Sequence, residues 1–214
     1  LEKGMTKALA KQLRTHPLHG WISAQVGLGD KQVARLLAAI RDPFWNDLHD
    51  RPRTVSELWA FCGLHVLPAS QNGHDDQRTT ADGSSRGGGD SSQPMGERHT
   101  LCAGVAPARR RGQTCNWSQE ARTRIYVIAE SCLKNRRSPY RPVYDGGRAK
   151  YAEAAHQVPC VRCGPKGKPA LEGSPLSDGH KHARAMRLVM KAVLKDLWIE
   201  SRRLYAHPAD GGAS

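Results

Sequence analysis

Trp21-Ile22-Ser23-Ala24-Gln25-Val26-Gly27-Leu28-Gly29-Asp30-Lys31-Gln32-Val33-Ala34-Arg35-Leu36-Leu37 decides how this chain is read. An apolar–Gly–apolar–Gly turn lets the backbone bend tightly and leaves amides exposed, because glycine tolerates conformations closed to other residues. The residues after it carry Val33, Leu36, Leu37 and Ile40 at helical spacing. Trp21, Ile22 and Val26 precede the turn as the apolar side of a shorter helix, and Ala34 is small enough for two helices to approach closely. The pattern is that of a helix-hairpin-helix. Amides exposed at a helix N-terminus hold a phosphate oxygen with the help of the helix dipole. Gly27 and Gly29 would form that turn, and Lys31 and Arg35, one helical turn apart, would reinforce the contact. Such a grip reads the backbone and carries no base sequence.

The same logic extends in both directions. Upstream, Thr6 is expected to cap a helix carrying Leu9 and Leu13 that ends before Pro17. Downstream, Asp42-Pro43 stops the second hairpin helix, and Thr54-Val55-Ser56-Glu57 has capping-box spacing. That box opens a helix with Leu58, Trp59 and Phe61 that Gly63 closes. From 69 to 100 the composition falls to Ser, Gly, Asp, Gln and Arg, which buries too little apolar area to offset the entropy of ordering. Order is expected again after Cys102. Ser118 would cap a helix running to Lys134, with Ile125, Ile128, Ala129 and Cys132 on one face. A helical stretch over about 140–155, interrupted by Gly146-Gly147, follows. After a Pro- and Gly-rich loop comes a final helix over about 179–205 with a stripe of Ala185, Leu188, Val189, Ala192, Val193, Leu197 and Trp198. The expected fold is mainly α: a helix-hairpin-helix-containing helical bundle with a disordered insertion and a small zinc knuckle. Its parts are 1–68, a disordered 69–100, a basic helical 101–206 and a disordered tail at 207–214.

Charge narrows the partner. Thirty-three Lys and Arg against 20 Asp and Glu leave a net charge of +13, and a surplus of that size favours polyanions through counterion release. Duplex DNA is the expected partner, with RNA and a second copy of the chain as further candidates. No apolar run approaches the roughly 18 residues that span a bilayer, so no membrane partner is expected and the chain is placed in the cytosol. Arg109-Arg110-Arg111, in a loop with Gly112, adds a candidate phosphate contact, since the guanidinium fork fits a phosphate.

In a reducing compartment, six Cys point to metal or burial rather than disulfides. Cys160-Val161-Arg162-Cys163-Gly164 has the shape of a zinc knuckle, in which a tight turn aims two thiolates at one ion. His180 with either His182 or His156 would supply the remaining ligands, and four protein ligands make such a zinc structural. No set of carboxylates suits a metal nuclease; Asp75, Asp76, Asp82 and Asp90 all fall in the low-complexity stretch.

Residues 26–43 resemble the start of the C-terminal domain of the insertion-sequence transposases of the IS-one-ten/IS-one-sixteen family, and Thr54 through Leu64 is similar to that domain's next helix, which ends in a Gly-Leu pair. Arg110-Arg111-Gly112 through Arg122 resembles the basic segment and helix that follow. The likeness covers roughly 20–135 and is closest to short actinobacterial and phage relatives. It implies DNA binding in a bacterial or phage setting. Full members also carry an acidic nuclease-like domain, expected to be missing here, and a serine in a Ser-Gly context after the Gly-Leu pair. Here that region reads Leu67-Pro68-Ala69-Ser70-Gln71-Asn72, with Ser70 the nearest serine. The expected function is therefore a transposase-like DNA-binding protein. The alternatives are an active recombinase subunit that needs a separate acidic domain, or a protein-interaction module whose charge serves solubility.

Overall fold

The computed structural model describes residues 2–66, 115–165 and 168–206. The expected disordered insertion at 69–100, Arg109-Arg110-Arg111, Ser70 and the tail at 207–214 lie outside the described residues. Within them the chain forms seven helices and one two-stranded hairpin. These are α1 (Glu2–Leu13), α2 (His19–Ala24), α3 (Asp30–Ile40), β1 (Trp45–Asn46), β2 (Arg51–Pro52), α4 (Val55–Phe61), α5 (Gln119–Lys134), α6 (Arg141–Lys150) and α7 (Asp178–Ala206). The chain is mainly helical. None of the described helices is long and apolar enough to cross a membrane.

Local chemistry sets most boundaries. Thr54 Oγ1 accepts from Glu57 N at 3.2 Å while Glu57 Oε2 accepts from Thr54 N at 2.7 Å, so the capping box at the start of α4 is closed on both sides. Ser118 Oγ accepts from Ala121 N and starts α5. Thr6 does not start a helix: α1 already runs from Glu2, and Thr6 falls inside it. Gly63 turns the chain after α4 with φ +66°, and a Cβ there would meet the Trp117 indole at 2.8 Å. Trp117 thus packs flat on bare backbone, which only glycine allows.

Two glycine-rich places depart from the sequence expectation. Gly146-Gly147 does not interrupt α6, which is continuous from Arg141 to Lys150. A Cβ on Gly147 would stand 3.1 Å from the Ala185 backbone, so this glycine lets α6 and α7 cross closely. Burial against α7 outweighs the roughly 1 kcal/mol that glycine costs within a helix. Gly27, with φ +104°, places its missing Cβ 2.9 Å from Cys132 Cα and 3.2 Å from Ser138 Oγ. One side of the α2–α3 turn is therefore pressed onto the C-terminal end of α5. Gly29, by contrast, has nothing within 4 Å of a Cβ position.

One hydrophobic core draws on residues before and after the undescribed segment: Ile22, Val33, Leu36 and Ile40, Leu58 and Leu64, Ile125 and Ile128, and Met186, Val189, Val193, Leu194 and Leu197. The expected stripe of α7 is only partly the buried one. Ala185, Val189, Val193 and Leu197 are buried, as are Met186, Met190 and Leu194, while Ala192 and Trp198 pack at the margin. Long-range polar bonds fasten the same helix. Trp59 Nε1 donates to Lys191 O at 3.1 Å, and Trp198 Nε1 donates to Arg53 O at 2.8 Å. At the far end of α7, Asp42 accepts from Ser201 Oγ and Tyr205 OH, both at 2.8 Å, as well as from the Phe44 and Trp45 amides. Asp42, two residues past the end of α3, therefore anchors the last turns of α7.

Candidate metal centre

The loop between α6 and α7 has little apolar content and is held by short backbone pairings. Ala155 faces Pro175 and Cys160 faces Ala170 as isolated antiparallel bridges. Cys160 N donates to Ala170 O at 2.9 Å, and Ala170 N donates to Cys160 O at 2.8 Å. Nearer its base, His156 N donates to Ser174 O and Gly173 N to His156 O, both at 2.8 Å. These rungs fix His156 and Cys160 on one limb. The chain then turns through Cys160-Val161-Arg162-Cys163, with Cys163 N donating back to Cys160 O at 3.4 Å. Gly164 follows where the returning limb leaves no room: a Cβ there would collide with the Lys168 carbonyl and lie 2.6 Å from Ala170 N. The glycine of the knuckle is required by contact.

The first turn of α7 carries the last member. One ligand atom each from His156, Cys160, Cys163 and His180 lies within 4.8 Å of all the others. Cys163 Sγ stands 3.4 Å from His180 Nδ1 and 3.0 Å from Ser177 Oγ. Bond lengths of about 2.0–2.3 Å to a tetrahedral ion imply ligand–ligand separations of about 3.3–3.8 Å, which the Cys163–His180 distance meets. His156 is only 5% exposed, its ring 5.6 Å from that of His180, and its Nε2 has no hydrogen-bond partner. A buried imidazole nitrogen without a partner is costly unless something fills its lone pair. Two thiols and two imidazoles converging in this way can hold a metal ion.

The electrostatics suit that role. The Ser177 hydroxyl hydrogen-bonds to Cys163 and draws its thiol below the usual range, toward the thiolate that binds metal. Burial, and then repulsion from His156, Arg162 and Arg184, lowers His180 and favours its neutral, ligating form. Around the cluster, Arg148 bonds both the Asp178 carboxylate and its carbonyl at 3.0 Å, and Lys181 Nζ reaches Ala152 O at 2.6 Å. The start of α7 is thereby tied to α6 and to the base of the loop.

Of the two histidines offered beside His180, the structure brings only one to the cluster. His182 is not part of the cluster; its Nδ1 lies 2.8 Å from Tyr144 OH, and its ring meets that of Tyr144 edge-on. Positions two apart on a helix point in widely different directions, so His180 and His182 cannot both turn to one ion. His156 is the fourth member of the cluster. Its spacing before Cys160 was the available signal, since a neighbouring limb can bring it back where a helix cannot.

The other expected site residues lie elsewhere. Gly27, Gly29, Lys31 and Arg35 sit at the α2–α3 turn and on α3, with Lys31 exposed and Arg35 partly buried. The N-cap is Gly29, without a side-chain hydrogen bond to the first-turn amides, and Asp30 of that turn pairs with His19 at 3.8 Å. Among the described residues, no other group of three or more His, Cys, Asp or Glu side chains converges in the manner of the His156 cluster. Comparison of the chain with protein-family models, with curated proteins and with solved structures returned no match.

Proposed function

We propose that the chain is a transposase-like DNA-binding protein that holds the DNA backbone at the α2–α3 turn and is stapled by a structural zinc ion. The observation that carries the DNA reading is the N-terminus of α3, where Gly29 leaves the first-turn amides without a side-chain cap and without a Cβ nearby to shield them. A phosphate oxygen is the natural partner of such amides. The net charge of +13 and the resemblance of residues 26–43 and 54–64 to the transposase domain support the same reading. Because Gly27 is packed onto α5, only the Gly29 side of the turn is left open for a phosphate; Gly27 serves the fold.

Zinc is the ion that two thiolates and two imidazoles favour in tetrahedral geometry. With four protein ligands the coordination sphere is closed, so the ion would brace the loop and the start of α7. Its place would be held by His156, Cys160, Cys163 and His180.

The test is a gel-shift series on duplex DNA at low salt with the intact chain and with Lys31→Glu. Lys31 is exposed in the first turn of α3, so charge reversal there weakens binding while the melting temperature stays unchanged. Unchanged binding by Lys31→Glu would remove the turn from the interface.

A further inference from the structure

Beyond the hairpin, α7 carries a second surface with the character of a phosphate contact. Arg184, Arg187, Lys191, Lys195 and Arg202 recur at intervals of three, four, four and seven residues, so they line one face of the helix at about 3.6 residues per turn. The stripe runs for about 27 Å at a rise of about 1.5 Å per residue. The acids of α7 are kept off it. Asp178 bonds Arg148, Asp196 accepts from Tyr140 OH, and Glu200 pairs with Arg203.

Ordinary surface cations are paired or fully hydrated; Arg187 and Lys191, at the middle of this stripe, are half-buried and without a carboxylate partner, while Arg184, Lys195 and Arg202 stand exposed around them. Among the described residues, none of the five has a carboxylate within ion-pairing distance. Aromatic rings hold three of them in place. The Lys191 ammonium lies 4.6 Å from the Trp59 ring centre, the Arg184 guanidinium 5.4 Å from Tyr151, and the Arg202 guanidinium 5.6 Å from Trp198. Arg187, largely covered, has no hydrogen-bond partner among the described residues. Burial and repulsion from Arg122 and Arg184 push it below the usual guanidinium range. Lys191 is lowered by burial and by Arg187. Two partly dehydrated cations, Arg187 and Lys191, set among further like charges destabilise the free protein and are relieved by an anion.

We propose that this stripe of α7 is a binding surface for the phosphodiester backbone of DNA. An extended polyanion fits its length better than a single phosphate would. The proposal deepens the reading of the chain as a DNA-binding protein and rests on it, but it does not depend on the α2–α3 turn. The metal cluster stands at the N-terminal end of the same helix, with His180 one turn before Arg184.

The experiment is a fluorescence-anisotropy titration of a labelled duplex of arbitrary sequence, across a salt series, with the full chain. Arg187→Gln/Lys191→Gln is compared with Arg136→Gln/Arg137→Gln, which removes the same charge from an exposed turn between α5 and α6. The stripe variant should lose about tenfold or more in affinity and flatten the salt slope by about 1–2, near 0.9 per phosphate contact. The control should stay within about twofold. Lys195→Glu, exposed on the same stripe, gives a second reading if the double variant folds poorly, and should also weaken binding. Equal losses in the two double variants would mean that net charge alone acts, and would overturn the proposal; so would full affinity in Arg187→Gln/Lys191→Gln and Lys195→Glu. Binding lost in Lys31→Glu but kept in the stripe variants would retain the hairpin and discard this surface. No duplex binding by the unmodified chain at low salt would remove both.

Discussion

Cys163 Sγ and His180 Nδ1 stand 3.4 Å apart, so the knuckle loop and the first turn of α7 meet at one point. The loop has few apolar side chains to bury, and its order depends on a few backbone rungs and on whatever joins these two residues. Removing the ion from that junction should release the loop first. Purified protein is expected to carry one zinc per chain, and chelation should lower the melting temperature by on the order of 10 °C. Cys160→Ser and His156→Ala should each abolish stoichiometric metal, as read by elemental analysis. His182→Ala should keep it, losing only the Tyr144 hydrogen bond, worth about 1 kcal/mol. Metal lost in His182→Ala and kept in His156→Ala would reverse the ligand assignment.

The two glycines of the α2–α3 turn should separate cleanly. Gly27→Val adds a side chain at positive φ against Cys132 and should cost about 2–4 kcal/mol in urea denaturation. Gly29→Ala, with open space around its Cβ position, should cost less than about 1 kcal/mol. Similar costs at both positions would mean that the turn does not pack on α5 as described.

Asp42 joins the end of α3 to the end of α7. Asp42→Ala leaves Ser201, Tyr205 and two amides without their acceptor and should cost about 2–4 kcal/mol. Hydrogen exchange should quicken in the last two turns of α7 while α5 stays protected. Uniform quickening would indicate a general loss of stability instead.

Acid should weaken the N-terminal half in a defined window. The Arg51 guanidinium and the Thr54 amide hold Glu57 below its ordinary 4.5, at about 2. Asp42 also lies below its ordinary value: burial works against this, but the hydrogen bonds from Trp45, Ser201, Tyr205 and Phe44 outweigh it. Depressed carboxyl values add stability that is full above the unfolded-state value and is lost as pH falls through the folded one. Unfolding free energy should therefore drop between about pH 4.5 and 2, and Glu57→Gln should remove part of that slope. An unchanged slope in Glu57→Gln would show that the capping box and its ion pair are not formed in solution.

What could be read from the sequence was local. The Thr54–Glu57 box and the Ser118 cap are satisfied within one turn of chain, so spacing alone reveals them. Gly27-Leu28-Gly29 marks a turn for the same reason, and the period of Val33, Leu36, Leu37 and Ile40 marks the helix after it. Contacts between distant residues were not legible. Asp42 reads as a helix stop, yet its partners Ser201 and Tyr205 come from the other end of the chain. Gly147 reads as a helix breaker until α7 lies against it. The metal cluster was half legible: Cys160 and Cys163 announce themselves by spacing, whereas spacing left His182 and His156 as equal alternatives beside His180. The choice between His156 and His182, left open by the sequence, is made only when the limb through Ala155 and Pro175 brings His156 to the cluster. The cation stripe of α7 was not legible because its isolation from carboxylates and its contacts with Trp59 and Tyr151 depend on residues distant in the chain.

Under the proposed function, the chain grips DNA by its backbone. Association constants for two unrelated duplexes, measured from low to moderate salt, test it most directly. The account predicts nearly equal affinities and a steep fall with salt, about 0.9 in log–log slope for each phosphate neutralised. Absence of binding at low salt, or affinity that ignores salt, would contradict it.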